Sequence, residues 1–206
     1  MPNTSRINGF RVVKHLSGAP YNGQANLYYV ASAADEILVG DIVKLASTAD
    51  ANGIAGADLC GATDFPVGVV TEIMHTKFDP VGKMTTGSTA LDVPAVTQIA
   101  ASGTGYIMVA DDPLVVMEVE AGTGGTALAA ADVGMNVKHA NGARTSATTT
   151  SPAVIDTAVA PATTSTYNFE LLGFVQRVGN EIGASAKVLV RFNVHQYNSV
   201  GTAGIA

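Results

Sequence analysis

Near its C-terminus the chain alternates apolar and polar side chains almost one for one. In Val188-Leu189-Val190-Arg191-Phe192-Asn193-Val194-His195, the residues Val188, Val190, Phe192 and Val194 share one face, and Leu189, Arg191, Asn193 and His195 take the other. A period of two with one mostly polar face predicts an antiparallel strand half-buried against a core. Enrichment in β-branched and aromatic residues predicts strands at 10–16, 27–31, 37–45, 65–75, 105–110, 114–120, 134–139, 167–178 and 187–195. Turn chemistry separates them. Asn52-Gly53 and Asn141-Gly142 suit the positive φ of tight hairpins, and Gly40-Asp41, Gly179-Asn180 and Gly183 punctuate in the same way. One short stretch, residues 126–132 (TALAAAD), favours a helix that Gly134 would end. This pattern predicts an all-β protein: an antiparallel sandwich or barrel-like domain with at most one short helix.

Two segments depart from the pattern. Residues 1–24 mix cationic and aromatic side chains with Gly and Pro and read as an extended N-terminal arm, leaving 25–206 as the β-rich domain. Residues 143–166 (ARTSATTTSPAVIDTAVAPATTST) form a Ser/Thr/Ala/Pro tract whose apolar island is Val154-Ile155. A stretch this long without strand signals predicts an exposed excursion or a strap laid on a neighbouring subunit.

Composition changes the picture in one respect. With 47% hydrophobic residues the 206-residue chain is well able to form a core, yet only 14% of it is charged, against a usual quarter. A surface so poor in charge and rich in Ala, Gly, Thr and Val suits a protein partly covered by neighbours. The net charge of −6 argues against nucleic acid as a partner, which requires a basic patch. The main cationic concentration, Arg6, Arg11 and Lys14, is spread along the arm and suits docking to a protein better than a nucleic-acid groove. No apolar run reaches the length of a membrane span, and the opening residues lack the apolar core of a signal peptide, so a soluble protein made in the cytoplasm is expected.

Candidate chemistry is sparse. Gly122-Thr123-Gly124-Gly125-Thr126-Ala127 fits the glycine pattern that cradles a dinucleotide pyrophosphate at a helix N-terminus. The helix after it is too short for a βαβ crossover, and no strand ending in Asp or Glu follows about 20 residues on, so a glycine-rich turn is the better reading. His15, His75, His139 and His195 are scattered, with no ligand spacing, and no G-x-S-x-G elbow is present. Asp111-Asp112-Pro113, with Glu118 and Glu120 nearby, would offer hard oxygen ligands to Ca²⁺, but a turn beside a solvated edge explains it more simply. The single cysteine, Cys60, excludes an internal disulfide and reads as a small buried apolar residue. Asn3-Thr4-Ser5 matches the glycosylation sequon, which carries no meaning without a secretory leader. Neither an enzyme nor a cofactor or metal is expected.

Several stretches resemble a known group. Asn8-Gly9-Phe10-Arg11-Val12-Val13-Lys14-His15 with Gly18-Ala19-Pro20-Tyr21-Asn22-Gly23-Gln24 is similar to the start of small virion proteins of tailed bacteriophages, especially marine and cyanobacterial ones. Asp111-Asp112-Pro113 through Ala131-Asp132-Val133-Gly134-Met135-Asn136, and Leu172-Gly173-Phe174 through Val194-His195-Gln196-Tyr197, resemble them too. Those proteins are capsid decoration, or cement, proteins. The resemblance implies a β-rich subunit, commonly a homotrimer, on the outside of the capsid. It would be assembled in the host cytoplasm, bind the major capsid protein at threefold or quasi-threefold positions and bridge capsomers. It carries no active site, no nucleic-acid contact and no membrane. For the arm the expectation is docking onto a capsid or subunit neighbour, with Arg6, Phe10, Arg11, Lys14 and Tyr21 at the interface. The alternatives are another phage component (head-fibre base, tail or minor capsid protein) and a carbohydrate- or receptor-binding β-module; the absence of Trp weighs against the last.

Overall fold

The computed structural model describes residues 3–33, 35–74, 98–145 and 148–198. The chain is all-β; of the described residues 41% are strand and 2% helix. Five strands close a barrel in the order β2 (Asn26–Val30), β5 (Ala55–Leu59), β4 (Ile42–Ala49), β6 (Gly68–Met74) and β8 (Gly105–Ala110). Its pairings are antiparallel except for β2 with β5. Beside it lies an antiparallel five-stranded sheet in the order β1 (Arg11–His15), β9 (Val115–Glu120), β14 (Lys187–Phe192), β13 (Phe169–Phe174) and β10 (Asn136–Val137). Two short ladders complete the body: β3 (Ile37–Leu38) with β7 (Gln98–Ile99), and β11 (His139–Ala140) with β12 (Val154–Ile155).

The period-two pattern fills two cores. Tyr28, Val30, Val43, Val70, Ile107 and Val109 point into the barrel. Met117, Val119, Val188, Val190, Phe169 and Leu171 form the inner face of the sheet. One row on the outside of the barrel joins the two: Ile42, Val69 and Ala110 are register partners across β4, β6 and β8, and all three are buried in the second core. Cross-strand partners share a face, so this row is where the sheet seats on the barrel.

A buried polar staple reinforces the junction. The Asp41 carboxylate, fully buried, accepts two hydrogen bonds from the Arg144 guanidinium (2.6 and 3.1 Å), one from Ser151 Oγ (2.5 Å) and one from the Leu38 N–H (2.8 Å). Arg144 also donates to the carbonyls of Glu36 and Asn141. Pairing with this many bonds offsets the large cost of burying both charges. The Ser/Thr-rich tract is thus tied down on its own chain: Ser151, Ala153 and Ile155 are fully buried, and Val154–Ile155 is strand β12.

Helix is nearly absent among the described residues. The Ala-rich stretch at 126–132 yields one 3₁₀ turn, Ala130–Asp132, closed by Asp132 Oδ2 accepting from the Ala129 N–H. Its entry is fixed by Thr126 N–H donating to the Thr157 carbonyl, which holds the segment extended where a first helical turn would form. No helix among the described residues is long and apolar enough to cross a membrane.

Candidate functional site

The N-terminal segment, expected to reach for a neighbour, is built into the chain's own sheet. Phe10 is 2% exposed and stacks on Phe169 with ring centroids 4.9 Å apart, so it is a core residue and not an exposed anchor. Its N–H donates to the Gly40 carbonyl at 2.8 Å, and Gly40 holds φ at +92° to make that approach. Upstream, Asn3 exchanges hydrogen bonds with Glu181 and Ala184 at the loop between β13 and β14. Glu120, 1% exposed, accepts from Ser5 Oγ (2.6 Å), the Arg6 N–H (2.7 Å) and Lys187 Nζ (3.1 Å). Tyr21 is half-buried against the second core, and its hydroxyl donates to the Gln24 carbonyl. The free arm is therefore corrected to an edge strand with pinned flanks: the sequence shows β1 plainly, but not that its partner strand lies in the same chain.

What remains exposed on that strand is distinctive. Val12 pairs with Met117 and faces the core, whereas Lys14 pairs with Val116, so Val13 is the extra residue of a bulge. Bulged and following residues both oppose Val116, which turns Val13 and Lys14 toward the outer face of the sheet. Leu16 lies opposite Leu114, its N–H donating to the Leu114 carbonyl at 2.8 Å. Val13, Leu16 and Leu114 are 43%, 46% and 49% exposed, a cluster of apolar side chains in water. Lys14 is exposed beside it, Arg11 is exposed further along the strand opposite Glu118, and Arg6 is exposed at the far end of β9 beside Glu120; none of the three makes an ion pair among the described residues. Two further apolar groupings occur elsewhere. Val178 and Ile182 project from the β13–β14 loop, Val178 wholly in solvent. Phe65 (45%) and Tyr197 (57%) flank the hydrogen bond from the Gln196 N–H to the Pro66 carbonyl.

The polar features that suggested chemistry resolve into structure. Gly122 and Thr126 donate their N–H groups to the carbonyls of Ile155 and Thr157. A Cβ on Gly125 would stand 1.9 Å from the Thr157 oxygen, so that glycine admits the chain's own backbone instead of a pyrophosphate. The depression beside it, about 390 Å³, is lined by the carboxylates of Glu120 and Asp156 and by no cationic side chain, the wrong charge for phosphate.

Asp111 and Asp112 border a second depression of about 350 Å³ with His15, Tyr21 and Asn26. Both carboxylates are engaged: Asp112 with His15 Nδ1 at 2.8 Å, and Asp111 with Asn26 and the Tyr28 hydroxyl at 2.7 Å. Burial first, and then the Asp111 bond, push the Tyr28 phenol far above its ordinary value, so it stays a donor. Glu118 pairs with Arg177 at 2.8 Å. Among the described residues no three His, Cys, Asp or Glu side chains are grouped so as to hold a metal.

His139 and His195 are buried, and desolvation holds both below the ordinary histidine value. Each has a ring Nε2 within bonding distance of a carbonyl, Cys60 and Val67 respectively, which fixes Nε2 as the protonated nitrogen of the neutral ring. Burial pushes the Cys60 thiol up, leaving it inert as a nucleophile. His75 lies outside the described residues. Compared with protein-family models, curated proteins and solved structures, the chain matches none of them.

Proposed function

We propose that this chain is a virion structural protein that binds the outside of a tailed-phage capsid shell and cements adjacent capsomers, acting through surfaces and not through catalysis. The observation that carries the reading is the set of three separate apolar groupings, at Val13/Leu16/Leu114, Phe65/Tyr197 and Val178/Ile182, on one interlocked β-body. Scattered exposed apolar residues are ordinary, but grouped ones mark contact surfaces. Several such surfaces on one subunit suit a protein that joins neighbours, because linked weak contacts multiply in effect. The low charge of the chain and its resemblance to phage decoration proteins support the same role. Its partners on this reading are the major capsid protein and further copies of itself, as a homotrimer, on the virion exterior.

Among the three, the Val178/Ile182 loop is the best candidate for the shell contact, since Val178 is wholly in solvent and Ile182 is more than half exposed. The test is co-sedimentation of the purified chain with empty shells of the cognate major capsid protein. Wild-type protein is expected to saturate, and the Val178→Asp/Ile182→Asp double variant to lose most of its occupancy while keeping its melting temperature. Equal occupancy for both would remove the loop from the account; no binding by either would remove the cement role.

A further inference from the structure

The net charge of the chain is concentrated in one place. Between residues 26 and 110 the described chain, which is the barrel and its loops, carries seven carboxylates against one cation, Lys44. Residues 3–25 carry three cations and no carboxylate. Of these carboxylates Asp41 is buried on Arg144 and Asp64 pairs with Lys44, while Glu72 and Asp50 border an apolar face of the barrel. Leu27, Met108 and Glu72 are register partners across β2, β8 and β6, and Tyr29, Tyr106 and Met74 form the next row. Both rows lie on the outer face, since β8 alternates between them and the core-facing Ile107 and Val109. Leu27, Tyr29, Met74, Tyr106 and Met108 are all half-buried, Tyr29 and Tyr106 packing at 5.4 Å. Glu72 is exposed beside them with no ion pair among the described residues. Asp50 stands at the edge, accepting a hydrogen bond from the Tyr106 hydroxyl at 2.9 Å. Burial alone would raise Asp50, but bonds from Ile54, Tyr106 and Asn52 outweigh it and hold the carboxylate ionised.

We infer that this Tyr/Met face of the barrel, with its acidic edge, binds the Val13/Leu16/Leu114 patch, with its basic edge, on a second copy of the chain. The inference rests on the reading of the chain as an assembly subunit and adds which surfaces meet. Tyr and Met are enriched at interface cores, and opposed charge around an apolar centre fixes register and speeds encounter. The two surfaces differ, so the contact is head-to-tail, and repetition of it closes a ring where the rotation allows. Arg11 and Lys14 make no ion pair among the described residues, whereas the outer-sheet cations nearer the middle, Lys187 and Arg191, are each paired with a carboxylate.

The experiment is sedimentation equilibrium of the full chain at low and high salt, for the wild type, Arg11→Glu/Lys14→Glu, Glu72→Lys, and an equimolar mixture of the two variants. Circular dichroism confirms that each is folded, and Leu16→Ser serves as a neutral probe of the same patch should the double reversal fail to fold. Wild type is expected to self-associate less tightly as salt rises. Each variant alone, and Leu16→Ser, should weaken association by at least about tenfold. The mixture should recover association between the two variants, because the reversed patch then faces a reversed barrel, although a closed ring of three keeps one mismatched junction and should form less readily than in the wild type. Variants that associate as the wild type does, or a mixture that stays apart, would overturn this contact and leave the structural-subunit reading standing. A reversal that abolishes shell binding and spares self-association would overturn it too, assigning the patch to the shell. A wild type that stays monomeric at every concentration, whether or not it binds shells, overturns it as well.

Discussion

Arg144 sits 5% exposed between the barrel and the tract that follows β11, and its guanidinium makes four hydrogen bonds, two of them to the buried Asp41. Replacing it with alanine leaves that carboxylate, which has no access to water, with the Leu38 N–H and the Ser151 hydroxyl alone. It also removes the donor to the Glu36 and Asn141 carbonyls. Breaking one side of a buried, hydrogen-bonded ion pair costs about 3–5 kcal/mol, mostly the penalty of the charge left behind. For a domain of this size that corresponds to a fall in Tm of roughly 6–20 °C. Asp41→Asn/Arg144→Met removes both charges and should cost markedly less than Arg144→Ala, giving a coupling energy of about 2 kcal/mol or more. The assay is urea unfolding followed by far-ultraviolet circular dichroism, with limited proteolysis in parallel. Cleavage in the Ser/Thr-rich stretch should appear in Arg144→Ala before global unfolding, because the staple holds that stretch down. A loss below about 1 kcal/mol in Arg144→Ala would refute the reasoning, since no well-formed buried pair is lost so cheaply.

Other outcomes follow from the same geometry. Phe10→Ala should cost about 3–5 kcal/mol by cavity formation, and deletion of residues 2–20 should unfold the sheet; a deletion mutant with unchanged Tm would restore the free arm. Gly125→Ala should destabilise by at least about 2 kcal/mol, whereas Gly124→Ala, whose Cβ meets nothing within 4 Å, should be near neutral; the reverse order of Tm values would contradict the packing described. His139 and His195 titrate below their unfolded value, so the unfolded chain binds more protons as the pH drops below about 6.5. Stability contributed by keeping the rings neutral is complete above that pH and is lost on acidification at up to about 1.4 kcal/mol per pH unit for each, until the folded values are reached. Urea midpoints at pH 7.5 and 5.5 check this: the wild type should lose stability between them, and a flat profile would count against buried neutral histidines.

The strands with β-branched alternation were legible from the residues alone. The stretch at 105–110 is β8 to the residue, and β9, β13 and β14 lie within the predicted segments. β5 was not, because AGADL carries neither alternation nor bulk. It is a strand because barrel closure demands one, and Gly56 fits where any Cβ would meet the Thr48 carbonyl at 2.4 Å. The island Val154-Ile155 was the visible sign of β12, and burial of Ser151 and Thr157 around it was not visible, since their surroundings come from distant parts of the chain. For the same reason Gly40-Asp41 reads locally as a turn, while the partner that defines Asp41 is 103 residues away. Arg11 and Lys14 were singled out by charge and remain exposed; Phe10 was singled out by aromaticity, a property that marks cores as well as interfaces.

The central claim is that this chain works as an assembled coat subunit. Its most direct test is the solution mass of the purified 206-residue chain, alone and mixed with empty cognate capsid shells, by analytical ultracentrifugation. The account predicts a discrete oligomer of the free protein and saturable, stoichiometric binding to shells. A monomer that never binds shells would contradict it.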